Sequence, residues 1–109
     1  MSNFQIKDEE LDKVSGGAGS SSSLANQVSA VKDSFEYTCK DLSSDWEYKN
    51  AMSSLNNTID YLKKGNKGSA KSELYYAIAS IKNIGYQHQE KRGLTDDYVS
   101  LLNDVYNQL

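Results

Sequence analysis

The chain contains no proline, and only one cysteine, one histidine, one tryptophan and two phenylalanines in 109 residues. Without proline, no segment loses a backbone donor, so long uninterrupted helices are open to it. A single cysteine, Cys39, excludes an internal disulfide. With His88 as its only histidine partner, it cannot supply a thiolate metal site of the usual spacing. At most one thioether ring or one intermolecular disulfide could form, so a multiply crosslinked peptide is excluded. A long apolar run is also missing. The most apolar stretch, "LYYAIASI" at 74–81, falls well short of the ~20 residues that cross a bilayer. Charge of one sign is scarce as well: 12 basic against 15 acidic residues leave a net charge of −3. That balance argues against a nucleic-acid or other polyanion binder, which wants a basic face, and against a cationic membrane-active peptide.

What is present reads as one soluble domain with a distinct start. Apolar residues make up 38% and charged residues 25% of the chain, as in ordinary globular proteins. Residues 1–17 stand apart. Asp8, Glu9, Glu10 and Asp12 against Lys7 and Lys13 give a local charge of 2 − 4 = −2. A secretory signal needs a basic start and a continuous apolar stretch of ~7–15 residues, and neither occurs here. On a helical wheel Phe4, Leu11 and Val14 share one side, with Ile6 on its flank. Such a helix is too short to be stable alone in water and would order only against a partner.

Gly16 and Gly17 follow, and then Ala18 to Ser23, a Gly/Ser-rich stretch read as a flexible linker. Taken alone, two glycines there also fit a helix stop leading into a soft tether. In combination, however, Ile6, Glu10, Leu11, Val14, Gly16 and Gly17 resemble the double-glycine leader of bacteriocin-type precursors. In that family hydrophobic residues stand four, seven and twelve positions before the cut, and an acid stands eight before it. Two small residues end the leader. All of these positions match if the cut falls between Gly17 and Ala18; only Asn3 departs, where the family often has an apolar residue, with Phe4 one place along.

The resemblance implies a function in which the chain supplies no catalytic group. On that resemblance the chain would be the cargo of a peptidase-containing ABC transporter, made in the bacterial cytoplasm, cut after Gly17 and exported. The transporter's cysteine peptidase domain is the implied partner. Phe4, Ile6, Glu10, Leu11 and Val14 are the implied recognition residues, and Gly16, Gly17 and Ala18 the cleavage site. No cofactor, no metal, no nucleic acid and no stable membrane insertion are implied.

Residues 24–109 carry the periodicity of four helices and no strand alternation, which predicts an all-α antiparallel bundle. Leu24, Val28, Val31, Phe35, Cys39 and Leu42 mark the first helix. Ser44 and Glu47 form the expected capping box of a second, with Tyr48, Met52, Leu55, Ile59 and Leu62 inward and Gly65 as its stop. After a turn at 63–69, Ser69 is the expected cap of a third helix, which holds Ala70, Leu74, Ala77, Ile78 and Ile81 and closes at Gly93. Thr95 is the expected cap of the last, with Tyr98, Leu101, Leu102, Val105 and Leu109 inward.

The remaining chemistry-bearing residues have plain structural readings. Cys39 lies on an apolar stripe and reads as a small buried hydrophobe. His88 sits near a helix end with no catalytic partner, and Asp96 and Asp97 suit a first helical turn. Most of the eight tyrosines, Tyr48, Tyr61 and Tyr98 among them, fit a half-buried rim where the ring buries and the hydroxyl stays in water. Tyr75 and Tyr76 are adjacent and cannot both face a core, so one of them is a candidate contact residue. An enzyme is disfavoured, because no pair reads as nucleophile and base. The competing class is a cytosolic interaction protein of bacteriocin-immunity type, similar in size and helical pattern, which has no use for a double glycine in this register.

Overall fold

The computed structural model describes residues 20–109. They form four helices, α1 (Ser21–Thr38), α2 (Trp46–Lys63), α3 (Lys67–Gln87) and α4 (Arg92–Tyr106), with short 3-10 turns at Lys40–Leu42 and Gln89–Lys91. No strand occurs among the described residues. This is the all-α bundle that the periodicity predicts. Each helix packs on its chain neighbours, and α1 closes the ring against α4. Cross-contacts fix the directions. Asn57 of α2 meets Glu73 of α3 near one end, while Glu47 meets Asn83 near the other, so α2 and α3 run antiparallel.

The core forms because each helix repeats apolar residues on one face. Leu24, Val28, Phe35, Leu55, Leu62, Leu74, Ile81, Ile84 and Leu102 are all fully buried. Phe35 sits at an aromatic junction of three helices. Its ring stacks on Tyr48 at 5.5 Å and meets Tyr98 edge-on at 6.3 Å. The Tyr98 hydroxyl lies 2.8 Å from both Ser34 Oγ and Thr38 Oγ1. It is therefore not a rim tyrosine with a wet hydroxyl, as the sequence reading had it; α1 supplies the oxygens that let it bury.

Helix boundaries differ from the periodic reading at several ends, some through local caps and some through tertiary partners. Helix α1 starts at Ser21, three residues before Leu24, with Ser20 Oγ accepting the Ser23 amide at 3.1 Å. Residues 20–23 are thus cap and first turn, not linker. At the other end Leu42 leaves the helix for the 3-10 turn, and the Lys91 ammonium covers the exposed end of α1 by donating to the Thr38 carbonyl at 3.1 Å. The same ammonium lies 3.0 Å from Asp41, which holds the Asp41 carboxyl below its usual range, while Asp41 raises Lys91. The Asp41 part of this clamp is lost as pH falls through its lowered pKa, and the Lys91 part as pH rises through its raised one.

The Ser44–Glu47 capping box does not form. Helix α2 begins at Trp46 with Asp45 as cap residue, which places Glu47 one position too early to reach back. Glu47 instead turns inward, only 3% exposed, and accepts from Asn83 Nδ2 at 2.7 Å. The cap of α3 is Asn66, which accepts the Ser69 amide at 3.1 Å, so Ser69 lies inside the first turn. Gly65 does end α2, at φ 76°, a left-handed conformation that favours glycine. Gly93 lies inside α4 and does not close α3, and Leu101 is exposed, not inward.

Thr95 is not a cap either. It is buried within α4, donates to the Arg92 carbonyl at 3.1 Å and presses its hydroxyl against Gly85 of α3. A methyl group at residue 85 would overlap Thr95 Oγ1. Gly85→Ala should therefore destabilise by about 1–3 kcal/mol, despite the better helix propensity of alanine. Adding Thr95→Ala should recover most of that loss in a chemical-denaturation double-mutant cycle. Additive effects would show that the close approach is not the cause.

Candidate functional site

The predicted cleavage and recognition residues, Phe4, Ile6, Glu10, Leu11, Val14, Gly16, Gly17 and Ala18, lie outside the described residues. The structure instead defines what stands immediately behind them. Only Ala18 and Gly19 separate Gly17 from Ser20, the residue that caps α1. Fully extended, the chain from Ser20 back to Gly17 spans at most about 11 Å. A peptidase working at that bond must approach the folded body closely or gain chain from it.

The first turn of α1 is built to give chain. Its residues are Ser21, Ser22 and Ser23, of which the last two are exposed. The cap Ser20 holds them by accepting the Ser23 amide at its hydroxyl and the Leu24 amide at its carbonyl. Serine is a poorer helix former than alanine by about 0.5 kcal/mol. The first core residue, Leu24, follows at once and is fully buried. Melting the serine turn therefore lengthens the tether without opening the core. The serine tract, read from sequence as a linker, is helical in the folded body and cheap to unwind.

Replacing Ser21, Ser22 and Ser23 together with alanine should slow cleavage by up to about tenfold by stiffening this turn. Inserting four Gly/Ser residues between Gly19 and Ser20 should abolish that sensitivity. Gel-based cleavage time courses of the two variants, alone and combined, measure both effects. Equal rates for the triple-alanine and parent chains would show that the turn does not gate access.

The opposite end of the bundle gathers the titratable groups. His88 Nε2 lies 3.7 Å from Asp45 Oδ2, and its Nδ1 lies 3.8 Å from Glu90 Oε2. Nearby, Cys39 is fully buried as the residue that ends α1, and burial pushes its thiol up, against a smaller lowering by Lys91. A buried, protonated thiol is a poor nucleophile and cannot reach another chain, so the intermolecular disulfide considered from sequence is opposed by the fold. Among the described residues, no three His, Cys, Asp or Glu side chains gather as a metal site, and no helix is long and apolar enough to cross a membrane.

One feature went unread in the sequence, and another was read in part. Between α1 and α4 runs an apolar groove of about 280 Å³, lined by Gln27, Ala30, Val31, Ser34, Tyr98 and Leu101. Leu101 looked like core because its heptad-like spacing fits, yet it sits on the outer lip of this seam. Of Tyr75 and Tyr76, one was expected to be a contact residue; both are exposed, 60% and 59%, with rings in edge-to-face contact at 5.7 Å. The repeated pattern around them in α3 was the available signal. Comparison with protein-family models, curated proteins and solved structures finds no match to the chain.

Proposed function

We propose that the chain is an export precursor: residues 1–17 address it to the cysteine peptidase domain of an ABC transporter, which cuts between Gly17 and Ala18. The observation that carries this reading is the register of Ile6, Glu10, Leu11 and Val14 ahead of Gly16-Gly17. The short serine turn behind the bond supports it, because it gives a folded cargo a way to yield chain to the peptidase.

The chemistry follows from what such a peptidase needs. Its thiolate attacks the Gly17 carbonyl, and the carbonyl oxygen becomes an oxyanion that must be met by fixed donors. The Gly17–Ala18 bond then breaks, the Ala18 amine leaves with a proton, and water releases Gly17 as a carboxylate. Two residues without side chains let the strand lie in a narrow cleft and adopt extended backbone directly after a helix. Affinity comes from the apolar stripe. Burying a side chain such as Leu11 or Val14 is worth about 1.5–3 kcal/mol before the cost of ordering the segment. On this reading Glu10 adds orientation through its charge, and residues 18–109 travel as cargo.

Leu11→Ala and Val14→Ala test the stripe. Each should raise the KM for cleavage by about tenfold or more while leaving kcat within about twofold, because the contacts are made equally in ground and transition states. Steady-state cleavage by a purified peptidase domain reads both constants. An unchanged KM removes the role assigned to the stripe.

A further inference from the structure

The outward face of α3 carries a repeat that the fold turns into a strip. Lys71 precedes Tyr75 by four residues in "KSELY", and Lys82 precedes Tyr86 by four in "KNIGY". The two pairs are eleven residues apart, three helical turns, so they fall on one stripe about 16 Å from each other. Helix α4 completes the strip reciprocally. Lys71 of α3 sits over the ring of Tyr106 of α4 at 4.9 Å, and Arg92 of α4 sits over the ring of Tyr86 of α3 at 5.4 Å. Each end of the α3–α4 groove thus holds a cation against a tyrosine of the neighbouring helix.

Two shallow hollows lie along it, of about 260 and 270 Å³. They share Tyr75 and Tyr106 as a common wall, and each contains one lysine, Lys71 in the first and Lys82 in the second. Ser72 supplies a hydroxyl to one and Asn103 an amide to the other. Tyr75 and Tyr86 are both 60% exposed, so their rings cover no core. Among the described residues neither Lys71 nor Lys82 pairs with a carboxylate. The acid beside the strip, Asp96, is 3.9 Å from Arg92. The net charge of −3 hides this local excess of positive charge, because composition averages over faces.

The geometry points to an anionic glycan, a sugar polymer carrying carboxylate or phosphate groups, bound along the α3–α4 strip. The repeat of ring and cation asks for a ligand that itself repeats. Sugar rings present a C–H face to a tyrosine ring and hydroxyls to Ser72 and Asn103. Sparse acidic groups match the ammonium groups of Lys71 and Lys82, neither of which is paired with a carboxylate among the described residues. A nucleic acid fits less well, since its affinity comes from many closely spaced phosphate contacts, and the strip offers few cations on an acidic protein. An acidic helix fits less well too, because helix-in-groove docking needs a row of deep apolar anchor pockets. These hollows are shallow, with Ile78 and Ala79 the only aliphatic side chains among the described residues of their walls. The strip is built from α3 and α4 alone and uses none of residues 1–17, so its ligand and the cleavage reaction can fail separately.

Isothermal titration of the full chain with a hexameric uronic-acid oligosaccharide tests it, alongside a neutral hexasaccharide, a polyglutamate peptide and oligothymidylate. The acidic oligosaccharide should bind in the micromolar to millimolar range and tightest of the four. Tyr75→Ser with Tyr86→Ser should weaken it at least tenfold with unchanged helicity by circular dichroism. Lys71→Gln with Lys82→Gln should weaken it and flatten its salt dependence. No binding at millimolar ligand, equal binding of the neutral sugar, tighter binding of the peptide or the oligonucleotide, or affinity unmoved by these variants would each overturn the assignment.

Discussion

Gly17→Leu should reduce cleavage by the peptidase domain by about a hundredfold or more while leaving the helical content and melting temperature of the chain unchanged. A branched side chain at the residue that donates the scissile carbonyl pushes that carbonyl away from the thiolate and the oxyanion donors. Misplacement of a reacting atom by about 1 Å already costs on the order of a hundredfold. The effect should fall on kcat more than on KM, because the stripe formed by Leu11 and Val14 still binds. Gly17→Ala, which adds one methyl group, should lose far less. Stability should not respond, since Gly17 precedes the cap of α1 at Ser20 and every core residue among the described residues lies beyond it. Efficient processing of the leucine variant would remove the dipeptide from the mechanism.

Phe35→Ala should do the reverse. Phe35 is fully buried, stacked on Tyr48 and edge-on to Tyr98, so its removal leaves a cavity among α1, α2 and α4 that alanine cannot fill. Truncations of this type cost about 3–5 kcal/mol. A domain of this size has about 5–15 kcal/mol in total, so a large share of its stability goes. At roughly 4–8 °C per kcal/mol, the melting temperature should drop by more than about 12 °C. The Tyr98 hydroxyl would also lose its fixed position near Ser34 and Thr38. Cleavage after Gly17 should persist in this variant, because the address segment does not include the core. A loss below about 1 kcal/mol would mean that the aromatic junction is not the keystone it looks to be.

The architecture was legible because apolar spacing records which face of a helix is buried, and that face is set by local geometry. Leu24, Val28, Val31 and Phe35, or Ala70, Leu74, Ala77 and Ile81, announce their stripe without reference to the rest of the chain. Caps were less legible, because the same polar residue can serve its own helix end or a neighbour. Glu47 fits a capping box in the sequence but finds Asn83 across the bundle. Thr95 fits a cap but fills the space above Gly85. Ser20 to Ser23 read as linker on composition, yet Leu24 and Ala25 anchor the helix strongly enough to draw the serines into its first turn. The basic-aromatic strip was invisible in net charge and became visible only when α3 and α4 brought Lys71 to Tyr106 and Arg92 to Tyr86.

Residues 1–17 carry a different kind of information on the proposed reading: the register of Ile6, Glu10, Leu11 and Val14 is spaced for a peptidase surface, which the periodicity of the bundle does not record. Incubating the full chain with the isolated peptidase domain of such a transporter, and weighing the products by intact-mass spectrometry, tests this most directly. The account predicts two fragments, one ending at Gly17 and one beginning at Ala18 with α1 to α4 intact. A chain left whole, or cut at any other bond, would contradict it.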